Sequence, residues 1–246
     1  KSIVNKLHST VDSRVNTHLS NPATILNTIP AIPADDNLSE SQTTTHGNHT
    51  KVLTYASYAG MLYYLTGEEK YAQFSADILS FYIDELASRS PETTTICGNS
   101  FYDPRTTYGH FAIAYDFVFN FLKDAETKVY QKSTGTMVEF DNVKAQKVVH
   151  NIAVNALQEF DGADTHGKTI SNHPVLRAPG VLFSILNVED DTERERLFNV
   201  FWEKGTKEQN SFKHTILPMF GEQGIWPEAV SYSFMPNITL VLNVVD

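Results

Sequence analysis

Apolar residues recur at three- and four-residue intervals along most of the chain, and the stretches between them are polar or carry Gly and Pro. Residues 2–19 are expected as an exposed opening helix. Residues 20–47, with Pro22, Pro30 and Pro33 among Asn, Ser and Thr, are expected as a long polar loop. Val52, Tyr55, Ala56, Ala59, Leu62 and Tyr63 then form one helical stripe that stops at Gly67. Glu68 and Glu69 open a second helix, because carboxylates suit the positive end of a helix dipole, and it carries Tyr71, Phe74, Ile78, Leu79, Tyr82 and Leu86. After an irregular stretch over 90–104, a strongly apolar helix is expected over 107–122. Residues 131–139 read as a turn or short strand. Helices are expected over 143–160, 173–186 and 193–204, with a loop over 161–171. Residues 212–220 read as helix or turn, 221–227 as a loop, and 232–245 as a last helix or strand.

The pattern predicts an all-α fold of antiparallel helical hairpins with the long polar loops on one side. Closed on itself, such a layer is an α/α toroid, complete or incomplete, with a cleft at the loop end. No internal repeat and no linker divides residues 1–246, so one catalytic domain is expected.

Composition narrows the classes. Lys plus Arg number 19 against 29 Asp plus Glu, a net charge of -10, which disfavours a nucleic-acid partner but leaves room for a local basic cleft. The single cysteine, Cys97, excludes an intramolecular disulfide framework and a thiolate metal cluster. The longest apolar run, over 111–122, is broken by Asp116 and Asn120, so no membrane partner is expected. No signal peptide is visible at Lys1, and the expected location is secreted or periplasmic, with any leader removed.

Four constellations carry candidate chemistry. Ser171-Asn172-His173-Pro174 lies at a loop-to-helix junction, where Asn172 suits a helix cap and the same geometry sets an amide beside an imidazole at a cleft mouth. Gly224-Ile225-Trp226-Pro227-Glu228, followed by Tyr232, offers a flat ring for a sugar, a carboxylate and a phenol, although packing between helices uses the same residues. Tyr102-Asp103-Pro104-Arg105-Thr106-Thr107-Tyr108-Gly109-His110 supplies Arg105 for a bidentate grip on a carboxylate and Tyr108 and His110 for a cleft. Asp116, a little further on, is expected to be buried in helix pairing. His46-Gly47-Asn48-His49 has two imidazoles but no Cys or acidic neighbour, and is not expected to hold a metal. Glycine-rich dinucleotide and phosphate loops and the Gly-x-Ser-x-Gly elbow are absent from the sequence.

Residues 63–72 (Tyr-Tyr-Leu-Thr-Gly-Glu-Glu-Lys-Tyr-Ala) and Ala114-Tyr115-Asp116 resemble the hairpins of α/α-toroid polysaccharide lyases. Asn172-His173 followed by Gly224-x-Trp226-x-Glu228-x-x-x-Tyr232 resembles the heparinase II/III-like superfamily, which includes alginate and oligoalginate lyases. The likeness runs over roughly residues 50–240 as a pattern. It implies β-elimination on an anionic polysaccharide or oligosaccharide, alginate first, without metal or organic cofactor. By the resemblance, Asn172 neutralises the uronate carboxylate, helped by Arg105 or Arg177, while His173 and Tyr232 are the base and acid. The likeness also implies a C-terminal β-sheet domain that supplies a further His. None follows Asp246 in this sequence, so a fragment is one expectation, and His110, His46 or His214 would substitute for that residue. Two other readings compete. An α/α-barrel glycoside hydrolase would need paired carboxylates, with Asp103 and Glu228 available, and a non-catalytic sugar-binding protein would use Trp226 and the tyrosines as platforms.

Overall fold

The computed structural model describes residues 2–33, 44–100, 102–163, 165–169 and 171–220. These fold as helices α1 (Ile3–Ser20), α2 (Pro22–Leu26), α3 (Thr44–Thr66), α4 (Glu69–Leu86) and α5 (Asp103–Lys123). A hairpin of β1 (Lys128–Gln131) and β2 (Thr136–Glu139) follows, then α6 (Asn142–Leu157), α7 (Asn172–Leu186) and α8 (Asp191–Asn199). Two π-helical turns, Val200–Lys204 and Phe212–Ile216, come after α8. The fold is predominantly α-helical, and its helix-on-helix packing is consistent with an α/α toroid-like arrangement.

Cross-helix contacts give the direction of each helix. His46 meets Thr106, Gly60 meets Phe117 and Tyr63 meets Phe121, so α3 and α5 run the same way. Pro104 meets Gly180 and Ala112 meets Asn187, so α7 is parallel to both. The return helices form a second set. His8 meets Tyr71 and His18 meets Asp77 between α1 and α4, and Asp84 meets Lys144 between α4 and α6. His150 meets Glu193 between α6 and α8. The result is a layer of α3, α5 and α7 backed by a layer of α1, α4, α6 and α8 running oppositely.

Apolar stripes of the two layers meet in one core that includes Leu53, Leu62, Phe74, Ile78, Phe111, Val118, Ile152 and Val181. Burial of such side chains stabilises the fold by about 1.5–3 kcal/mol each. The closest approach is between α5 and α7. A Cβ on Gly180 would overlap the Pro104 carbonyl oxygen, so only glycine admits this crossing. One buried polar knot fastens the β-hairpin to the layers. Asp77 accepts from His18 Nε2 at 2.7 Å, from the Tyr130 backbone N–H at 2.7 Å and from Gln73 Nε2 at 2.8 Å.

Several boundaries differ from expectation. Residues 20–47 are not all loop: Asn21 caps α2 with Pro22 in its first turn, and the His46-Gly47-Asn48-His49 motif lies within the first two turns of α3. α5 begins at Asp103, with Pro104 in its first turn, rather than near residue 107. Residues 131–139 belong to a two-stranded antiparallel hairpin that begins at Lys128 and pairs Val129 with Val138. The segment after α8 widens into a π-helical turn and ends at Gly205, with φ of 71°. The expected loop at 221–227 and last element at 232–245 lie outside the described residues.

Candidate active site

The parallel run of α3, α5 and α7 brings their N-terminal ends to one edge of the layer. Helix N-termini present unpaired backbone N–H groups and the positive end of the dipole, so this edge favours anions despite the chain's net negative charge. The connections that reach it are long, running over 27–43, 87–102 and 158–171. The opposite end is closed by a tight turn at Gly67, by residues 187–190 and by the β-hairpin.

At α7 the cap is Ser171, whose hydroxyl accepts from the His173 backbone N–H at 3.4 Å; this corrects the expectation that Asn172 caps the helix. Asn172 and His173 occupy the first turn and are half-buried. Pro174 follows without loss, since its position needs no intrahelical donor. From the first turn of α5, Arg105 reaches across with Nη1 3.4 Å from His173 Nδ1, and its guanidinium lies 5.1 Å from the centre of the Tyr102 ring. Burial lowers the Arg105 pKa from the usual guanidinium range. From the first turns of α3, His46 Nε2 lies 3.0 Å from the Thr106 hydroxyl, the residue after Arg105. Burial lowers the His46 pKa, which keeps that ring neutral at pH 7. The mouth therefore joins a guanidinium, two imidazoles and an amide, an arrangement that can grip a carboxylate and move a proton nearby.

Below the mouth, His110 stands one turn further along α5, with Nδ1 3.3 Å from the Ser57 hydroxyl and its pKa lowered by burial. It heads a groove of about 640 Å³ between α3, α5 and α7, walled by Tyr58, Met61, Phe117, Phe183 and Leu186. Asp116 also lines this groove and is exposed, which corrects its expected burial in helix pairing.

Other expected site residues lie elsewhere. Tyr108 is fully buried, with its hydroxyl 2.7 Å from the Thr94 carbonyl and 2.7 Å from Asn155 Oδ1. It fastens the 91–95 segment to α6 and does not face the cleft. Arg177 is 1% exposed. It donates to Gln158 Oε1 at 2.9 Å and to the Ala156 carbonyl at 3.1 Å. A guanidinium so enclosed supports the end of α6 and is not a substrate contact. Its place was readable, because residues 177, 181 and 184 share one helical stripe. Asp103 is also buried. It accepts from the backbone N–H groups of Ile96 and Cys97 at 3.0 and 3.1 Å, from the Cys97 thiol at 2.6 Å and from the Thr107 hydroxyl. Burial pushes its pKa up to about 6, but it stands inside the fold and cannot flank a sugar, so the hydrolase reading loses one of its two carboxylates.

Among the histidines considered as substitutes, His46 and His110 lie along the mouth and groove. His214 is exposed and sits 2.6 Å from Glu203 Oε2. His46 and His49 turn to different partners, since His49 Nδ1 faces the buried Tyr82 hydroxyl at 3.0 Å. Trp226, Glu228 and Tyr232 lie outside the described residues. Sequence reasoning missed Ser57 and Thr106 as polar neighbours of the two cleft histidines. The Pro at 104 was the available signal for Thr106, since it marks the first turn of α5.

Comparison with known proteins adds one finding to this geometry. Over all 246 residues the chain is 60% identical to a protein of Formosa agariphila described as an endo-acting ulvan lyase. A polysaccharide lyase is thus a relative of this chain. The chain spans 30% of the length of that ulvan lyase. No family model matches the chain, and no solved structure matches it. Among the described residues no helix is long and apolar enough to cross a membrane.

Proposed function

We propose that the chain is a helical catalytic region of a lyase that cleaves a uronate-containing polysaccharide by β-elimination, with ulvan as the leading substrate in place of alginate. The observation that carries this reading is the 60% identity to the endo-acting ulvan lyase along the whole chain. The junction of Arg105, Asn172 and His173 supports it with suitable chemistry.

The proton on C5 of a uronate is acidic enough to remove only when the carboxylate beside it is neutralised, because the developing negative charge spreads onto that group. Arg105 and Asn172 donate to it. Arg105, in donating to His173 Nδ1, places the ring proton on Nε2, so His173 presents a donor to the cleft. Tyr232 removes the C5 proton as the base. The electron pair forms the C4–C5 double bond, the C4–O glycosidic bond breaks, and an acid, His173 or Tyr232 once protonated, delivers a proton to the leaving oxygen. An enzyme of this kind meets its polymer outside the cytoplasm, as a secreted or periplasmic protein.

The test is a panel of ulvan, alginate and glucuronan, followed by ultraviolet absorbance of the unsaturated uronate and by a reducing-end assay. The expected result is absorbance with at least one uronate polymer, lost in Tyr232→Phe with the circular dichroism unchanged. New reducing ends without absorbance would mean hydrolysis and would overturn the reading.

A further inference from the structure

On the far side of α3 from His46, a second pocket of about 360 Å³ opens between α1, α2, α3 and α4. Its size suits a single sugar ring. Its floor is apolar, formed by the buried Phe74 and Ile78. Its rim is polar and cationic, with Arg14 from α1, Thr28 after α2, and Asn48 and Lys51 from α3. Among the described residues no carboxylate lines it.

Arg14 is the informative residue. Arg89, Arg177, Arg194 and Arg196 all donate to protein oxygens. The Arg14 guanidinium instead lies 3.9 Å from the centre of the Tyr55 ring, and its donors meet no acceptor among the described residues. Stacking holds the plane of the fork while leaving its edges open, which is the arrangement that receives a carboxylate or sulfate in bidentate fashion. Lys51 precedes Tyr55 by four residues, so it shares that face of α3, and it lines the same pocket. Asn48 and Thr28 add an amide and a hydroxyl suited to sugar hydroxyls.

We infer that this pocket is a second carbohydrate site, which takes one pyranose unit bearing a carboxylate or a sulfate and holds its charge between Arg14 and Lys51. The inference rests on the reading that the chain acts on an anionic polysaccharide, and it gives that polymer a hold about one helix diameter, ~10 Å, from the mouth.

The isoleucine methyl groups of Ile25 and Ile78 face this pocket, whereas Ile113 lines the groove below His110, so methyl NMR of the full chain separates the two places. The probes are glucuronate, glucose 6-sulfate, neutral glucose and inorganic sulfate. Saturable shifts of Ile25 and Ile78 are expected with one or both anionic sugars, at least about tenfold tighter than with glucose or inorganic sulfate, as expected for a charge-assisted pair added to sugar contacts. Arg14→Gln and the exposed Lys51→Gln should each weaken those shifts about tenfold. Unmoved Ile25 and Ile78 signals, equal binding of glucose or inorganic sulfate, or full binding by both variants would each overturn the inference. Product absorbance from ulvan, read separately with the same protein preparation, keeps the two readings apart. Shifts without product defeat only the lyase reading, and product without shifts defeats only this one.

Discussion

The two ends of the helical layer are built differently. At the closed end, charged and polar side chains are spent on one another: Lys123 meets Glu189 at 2.5 Å, and Gln146 bridges Tyr115 and the Asn187 carbonyl. At the mouth, Arg105 reaches His173, His46 meets the Thr106 hydroxyl and His110 meets the Ser57 hydroxyl, beside helix N-termini that attract negative charge. The closed end is tied by ion pairs and amide bridges between elements, while the mouth gathers a guanidinium and imidazoles beside helix N-termini. Two arginines 72 residues apart in sequence make the same contrast at close range, since Arg177 is enclosed by protein oxygens and Arg105 is half-buried at the rim.

The largest effect should come from Gly180→Ala. Its new Cβ would collide with the Pro104 backbone and force α7 from α5, with an expected loss of about 4 kcal/mol or more in denaturant unfolding. A loss under about 1 kcal/mol would show that the crossing relaxes and does not set the mouth.

The arginine contrast is sharpened by a pair of variants. Arg177→Gln should lower stability by about 3 kcal/mol, because buried carbonyls lose their donors. Arg105→Gln should change stability by less than about 1 kcal/mol yet reduce cleavage about a hundredfold, as loss of a charge-stabilising donor does. Equal stability losses in the two would erase the difference between enclosed and open cations.

Two buried groups near the mouth should tilt stability oppositely with pH. The Asp103 pKa is raised by burial to about 6 from 3.8, so its contribution is complete below pH 4 and is lost as pH rises towards 6. The His49 pKa is lowered by burial to about 4 from 6.5, so its contribution is present above pH 6.5 and is lost as pH falls towards 4. Each shift of this size corresponds to about 3 kcal/mol. Relative to wild type, Asp103→Asn should gain stability and His49→Gln should lose it as pH rises from 4 to 6. Chemical denaturation across that range checks the signs. Smallest of all, Gly47→Ala on the open surface of α3 should add about 0.5–1 kcal/mol, read as a small rise in melting temperature.

Much of the layer was legible because helical stripes repeat. Leu62, Phe74, Ile78 and Val118 all lie where the period put them, and Gly67 ends α3 with φ of 72°. The long connections at one end were readable from their Pro, Gly and polar content. Helix starts were less so, because Thr44–Asn48 carries no apolar stripe and the helix there depends on packing of His49 and Leu53 beneath it. For the candidate site, the Asn172-His173 junction and Arg105 were readable as residue types, but which of several polar side chains turn inward was not. Tyr108 and Asp103 sit on the same helix as Arg105 and differ from it in which neighbour they face, a matter of tertiary contact with the 91–97 segment.

The central claim is that the mouth eliminates across a uronate linkage with Arg105 holding the carboxylate. Its most direct test is the rate of ultraviolet-absorbing product from ulvan with wild type and Arg105→Gln at matched folded concentration. The account predicts steady product formation by wild type and a fall of about a hundredfold in the variant. Product formed equally fast by Arg105→Gln would contradict it.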